Sequence, residues 1–152
     1  MHSFKTWIVF SVLAAVIGLF GGCASVPMAP AASDQAAKQF AKLPDKANVF
    51  IYRNESMGAA IKMGIYLNDA PVAQTAAKTY INLQLAPGQY KIRSHAENNS
   101  EVVLDAKAGE VYFLWQEVKM GFGSARNKLQ VVDAETGMKA VKSCNLVEPP
   151  AK

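Results

Sequence analysis

Two kinds of chemistry would be open to this chain if its few reactive side chains met: a histidine activating a serine hydroxyl, or a cluster of His, Cys and carboxylate holding a metal ion. The chain has only 2 histidines and 2 cysteines in 152 residues. His2 lies at the extreme N-terminus, so a histidine-dependent step falls to His95. His95 shares the polar phase of a strand with Lys91 and Arg93, and no His-Glu-x-x-His or Cys-x-x-Cys pattern surrounds it. It is expected at the surface, and no metal site is expected. Ser124 follows Gly121-Phe122-Gly123 but lacks the second half of a Gly-x-Ser-x-Gly elbow, and no Gly-Lys-Ser/Thr follows to cradle a phosphate. That stretch is expected to be a flexible loop between two strands. The carboxylates Glu55, Asp69, Glu97, Asp105, Glu110, Glu117, Asp133 and Glu135 are scattered, and nothing nominates a pair. The expectation is therefore no catalytic residue and no cofactor. A rival reading, an envelope hydrolase, needs His95 or Ser124 to converge with a carboxylate.

Binding chemistry has more candidates. Lys62, Lys91, Arg93, Lys119, Arg126 and Lys128 could line one wet sheet face and a loop, either facing anionic lipid or balanced by nearby acids. Tyr66, Tyr80 and Tyr112 fall on strand phases where polar residues are expected, and Phe122 sits in the loop. Such aromatics suit a binding surface, and equally a cross-strand pair or a second layer packing on the sheet. Arg53 closes an otherwise apolar strand, where it either pairs with a buried carboxylate or reaches solvent at the strand end. The net charge of +4 does not require a polyanion partner, and no nucleic acid is expected. With 51% hydrophobic and 18% charged residues, the chain is neither a disordered acidic tail nor a collagen-like polymer.

The elements that would position these residues begin with a basic start at Lys5 and an uncharged run over residues 7–20. In a helix that run rises about 21 Å, short of the roughly 30 Å hydrocarbon core, so a signal peptide over 1–22 fits better than a spanning helix. Leu19-Phe20-Gly21-Gly22-Cys23 resembles the bacterial lipoprotein box, with Phe20 where Leu is usual. The resemblance implies cleavage before Cys23, lipidation of its thiol, and attachment to a membrane by acyl chains. Ala24, where Asp would retain the protein at the inner membrane, implies the outer membrane with the domain facing the periplasm. Residues 24–33 read as an Ala/Pro tether, and 34–42 as a short helix stopped by Pro44, so 23–46 is a lipidated Cys, a tether and a helix.

From residue 47 the period is two. Ile61, Met63, Ile65 and Leu67 share one face of a strand, and the alternation recurs over 80–85, 90–95 and 101–106. Two runs, 49–52 and 111–115, are apolar on both faces and should be central or covered. Short strands over 71–75 and 129–133, turn residues between the runs and a helix over 134–142 complete an all-β antiparallel sandwich of about seven or eight strands with short flanking helices. It spans 47–147, with a polar tail over 148–152. Cys144, beside Val141 and Leu146, is expected to pack as a small hydrophobe.

The segments Asn48-Val49-Phe50-Ile51-Tyr52-Arg53, Pro71-Val72-Ala73, Thr79-Tyr80, Leu85-Ala86-Pro87-Gly88-Gln89-Tyr90-Lys91-Ile92 and Ala108-Gly109-Glu110-Val111-Tyr112-Phe113, in this order, resemble the bacterial "domain of unknown function 2846". The Pro-Gly-x-Tyr-x-Ile hairpin also occurs in PEGA-type and transthyretin-like sandwiches. At Asn68-Asp69-Ala70 the chain departs from members, which often place Gly after Asn or Asp. The resemblance implies a sandwich fold and, since members are often exported lipoproteins, an envelope location; it carries no active site. The expected function is a lipid-anchored, non-enzymatic module of the cell envelope that binds a protein or glycan.

Overall fold

A computed structural model describes residues 23–149. The signal peptide expected over 1–22 and the last three residues of the tail lie outside the described residues. Strand β1, Ala47–Arg53, is buried at every position. It is flanked by β4, Thr79–Leu85, antiparallel, and by β7, Val111–Met120, parallel. Outside these lie β8, Ala125–Val132, antiparallel to β7, and the two-residue β9, Asn145–Leu146, parallel to β4. The five-stranded sheet thus runs β8-β7-β1-β4-β9. The second sheet holds β2, Met63–Leu67, β3, Ala70–Thr75, β5, Gly88–His95, and β6, Asn99–Ala106, in the order β3-β2-β5-β6. The expected all-β sandwich is present, with nine strands and two parallel pairings among the described residues in an otherwise antiparallel arrangement.

Both faces of β1 are apolar because the molecule has three layers, not two. Val49, Ile51, Ile81 and Leu114 meet Ile65, Ile92 and Leu104 between the sheets. On the other face Phe50, Tyr52, Tyr80 and Phe113 are covered by Phe40 and by Ala140, Val141 and Cys144. Phe40 sits edge-on at 5.2 Å to Phe50 and 5.5 Å to Phe113, a favoured aromatic geometry. Cys144 packs as expected, and burial pushes its thiol up to about 11.

Helix α1, Ala31–Ala37, is shorter and earlier than the expected 34–42. Pro30 precedes its first turn, and Phe40 adopts φ 50°, which ends the helix and turns the ring onto the sheet. Helix α2, Ala134–Lys142, agrees with the expected span; Asp133 caps it by accepting from the Thr136 N–H at 2.8 Å. The turn at Asn68-Asp69 has φ 48° and 67°, the conformation of a two-residue type I′ hairpin, so Asp69 accepts the left-handed backbone that members often give to Gly.

Two other expectations are corrected. The β7–β8 hairpin is far longer than 111–115 and 129–133, its register running from Phe113↔Val132 to Met120↔Ala125. Its polar residues obscured this, because Gln116 is buried to bond across the layers: it accepts from Thr75 Oγ1 and donates to Ser94 Oγ at 2.6 Å. Nor do residues 24–33 form a flexible tether. The Ala24 N–H donates to Ala59 O at 2.9 Å, Val26 is buried, Met28 forms an antiparallel bridge with Val147, and 31–33 begin α1. The prolines hold this strap extended, and its backbone groups find partners that a solvated tether would lack.

Candidate functional site

Of the residues singled out for binding, Tyr66, Lys91 and Arg93 meet on the solvent face of the second sheet. Arg93 stacks 4.2 Å from the Tyr66 ring centre, its cross-strand partner, and His95 lies edge-on to the same ring. The cluster is paired within itself: Lys91 Nζ lies 2.7 Å from Asp69, and Arg93 lies 3.6 Å from Asp69 and 3.7 Å from Glu101. The hydrogen bond to Asp69 raises the Lys91 ammonium, and the same bond lowers the Asp69 carboxyl. These exposed pairs are screened and leave little field for an anionic ligand.

The other two tyrosines do not join them. Tyr80 has no exposed surface; it faces the helices, and its hydroxyl donates to Asp34 O at 3.3 Å. Burial pushes its phenol far above the ordinary value. Tyr112 straps the β6–β7 connection, donating to Asp105 O at 3.1 Å and accepting from the Lys107 N–H at 3.2 Å. The expected tyrosine patch is therefore divided, because strand phase does not reveal which face a helix covers.

Arg53 departs from both expectations. Its side chain is fully buried without a carboxylate ion pair among the described residues. It donates from Nη1 to Ile61 O at 2.7 Å and from Nη2 to Gly58 O at 2.6 Å and Met57 O at 3.1 Å. The guanidinium thus organises the connection between β1 and β2. Burial lowers its pKa and the Glu55 charge raises it in part.

His95 and Ser124 are engaged separately. His95 Nδ1 lies 2.8 Å from Asn99 Oδ1. The Ser124 N–H donates to Glu97 at 2.7 Å, alongside those of Gly123 at 3.0 Å and Phe122 at 3.1 Å. These bonds hold the Glu97 carboxyl below the ordinary range. The glycine-flanked loop, expected to be flexible, is clamped by one carboxylate.

The two lateral edges of the sandwich differ. On one edge β6 and β8 are joined: the Leu129 N–H donates to Ser100 Oγ at 2.8 Å, and Asn127 N donates to Asn98 Oδ1 at 2.8 Å while Asn98 Nδ2 donates to Asn127 O at 2.9 Å. On the other, β3 pairs with β2 alone, and the sheets part. There a cleft of about 380 Å³ is lined by Val26, Pro27, Val72, Ala73 and Val147, with Lys62 and Glu148 at its rim. It borders a second hollow of about 270 Å³ that reaches Ile81 and Leu83. An apolar trough beside an unpaired strand edge can take an extended peptide through main-chain hydrogen bonds and side-chain pockets. The strap pairs with the edge of the other sheet, since the Ala29 N–H donates to Leu146 O and the Glu148 N–H to Pro27 O, each at 2.9 Å, so Val26 and Pro27 form one wall of the trough facing β3. The one signal for this edge in the sequence is Pro71 near the start of β3, a residue tolerated where no ladder bond is needed.

Among the described residues no helix is long and apolar enough to cross a membrane. The chain is 32% identical over 139 residues to a Haemophilus influenzae (strain ATCC 51907 / DSM 11121 / KW20 / Rd) protein that bears the name "Uncharacterized protein", covering 88% of this chain and 82% of that one. Residues 44–131, from the turn before β1 to β8, match the family described as "Protein of unknown function (DUF2846)". With β1 to β7 and all but the last residue of β8 inside that span, the chain belongs to this family.

Proposed function

We propose that the chain is a non-enzymatic binding module of the cell envelope, anchored by lipid on Cys23 in the outer membrane and facing the periplasm, that takes an extended segment of an envelope protein along β3. The anchor rests on the Gly21-Gly22-Cys23 box and the uncharged run before it. The observation that carries the binding role is the contrast between the edges: one joined by paired asparagines and Ser100, the other left with an apolar trough beside an unpaired strand. The apolar lining and the free edge of β3 support a peptide over a glycan, because an extended chain can add main-chain hydrogen bonds to that edge and lay apolar side chains in the trough.

A photocrosslinking side chain placed at Gln74, with Val103 as reference, tests this in intact cells. The expected result is a discrete protein adduct from position 74 alone, lost in Val72→Asp, with the partner segment then protecting the β3 amides from hydrogen exchange. Equal adducts from both positions, or protection of those amides by envelope glycan fragments alone, would overturn it. Anchoring is read separately: radioactive fatty acid should label the chain and not Cys23→Ser.

A further inference from the structure

The end of the sandwich that carries Cys23 also carries the two most exposed large apolar side chains among the described residues. Phe122 is 106% exposed and Met120 82%, at the tip of the β7–β8 hairpin, and Met57 is 48% exposed in the β1–β2 connection. These are three of the six large apolar residues exposed among the described residues. They are close together. A Cβ on Gly58 would lie 3.3 Å from Ala125 and 3.5 Å from Val118, and Ala125 pairs with Met120. The same connection receives the segment that follows Cys23, through the Ala24 N–H bonded to Ala59 O. Exposed Cys23 therefore emerges beside the hairpin tip. The tip is held in shape, because Glu97 binds the N–H groups of Phe122, Gly123 and Ser124. Arg126, exposed and without an ion pair among the described residues, flanks it, and Lys119, paired with Glu117, lies one residue before Met120.

We infer that this end rests in the bilayer, with Phe122 and Met120 entering the headgroup–acyl boundary and the basic side chains meeting lipid phosphates. The inference rests on lipidation at Cys23: an anchor attached beside the tip brings those side chains to the membrane surface. With the tip seated, β3 and its trough stand to the side of the domain, open to the periplasm.

The test uses the full chain, purified with its acyl groups and reconstituted into vesicles of phosphatidylethanolamine and phosphatidylglycerol. An environment-sensitive NBD label is attached through Phe122→Cys, with Val103→Cys as reference, both in a Cys144→Ser background. The label at 122 should lie about 5–10 Å into the headgroup–acyl boundary, quenched by lipid-borne nitroxide and shielded from aqueous iodide, while the label at 103 stays open to iodide. Equal iodide quenching at both positions overturns the inference. So does shielding at 122 that persists in detergent and rises with protein concentration, since that marks a second copy on the tip. Mass spectrometry of the same sample reads Cys23. An acylated chain with an iodide-accessible 122 ends this inference and leaves the anchor standing, whereas an unacylated Cys23 ends both.

Discussion

A guanidinium with no exposed surface must find its acceptors in the protein, and Arg53 donates three hydrogen bonds to the carbonyls of Met57, Gly58 and Ile61. Lysine at this position would keep the charge but lose the planar fork that reaches all three. Hydrogen bonds to charged groups contribute about 1.5–3 kcal/mol each, so Arg53→Lys should lower unfolding stability by about 2–4 kcal/mol in urea titration. Glu97 gives a pH dependence. Its folded pKa lies below the ordinary glutamate value of 4.5 because Phe122, Gly123 and Ser124 donate to the ionised form. Its stabilising effect is thus fully present above about pH 4.5 and is lost as pH falls through the folded value. Protection of those amides, the ratio of intrinsic to observed exchange rate, should be high at neutral pH, fall below that window, and be low throughout in Glu97→Gln.

Among the elements, α2 shows how close packing can override local propensity. Ala is better than Gly in a helix interior by about 1 kcal/mol, so Gly137→Ala would be expected to stabilise an isolated helix. Here a Cβ on Gly137 would lie 2.2 Å from Phe113 Cγ, so α2 would have to lift from β7. Overpacking of that kind costs about 1–3 kcal/mol, and the variant should melt lower than the parent by up to about 2 kcal/mol of stability. The β7–β8 hairpin shows a similar conflict in the sequence. Gln116 reads as a surface residue that interrupts the apolar run, yet it is fully buried where it bonds Thr75 and Ser94. A polar side chain satisfied in the interior looks the same in a sequence as one in water, so the second half of the strand was not legible.

For the whole molecule, the strap decides how the domain is held. If residues 24–29 were a free tether, their amides would exchange at coil rates. Their pairing predicts protection at Ala24, Ala29 and Glu148, whose N–H groups donate to Ala59, Leu146 and Pro27. Exchange measured by mass spectrometry on overlapping peptides checks this, and coil-like rates at all three would restore the tether. A docked strap fixes the distance from Cys23 to the sandwich, so the lipid anchor proposed there would hold the domain in one orientation.

Strand phase, the turns at Asn68-Asp69 and Pro87-Gly88, and the apolar neighbours Val141 and Leu146 of Cys144 were local signals, and from such signals the sequence determined the sandwich, the helix over 134–142 and the burial of Cys144. Local signals depend on neighbours along the chain, which the sequence contains. Tertiary structure alone decided that Tyr80 lies under the helices, that Arg53 ends among carbonyls, that Glu97 closes the Ser124 loop, and that one edge of the sandwich is joined while the other is open. Each of these depends on a partner from a distant segment, such as Asp34 for Tyr80 or Asn98 for Asn127, and neither period nor composition records which distant segments meet.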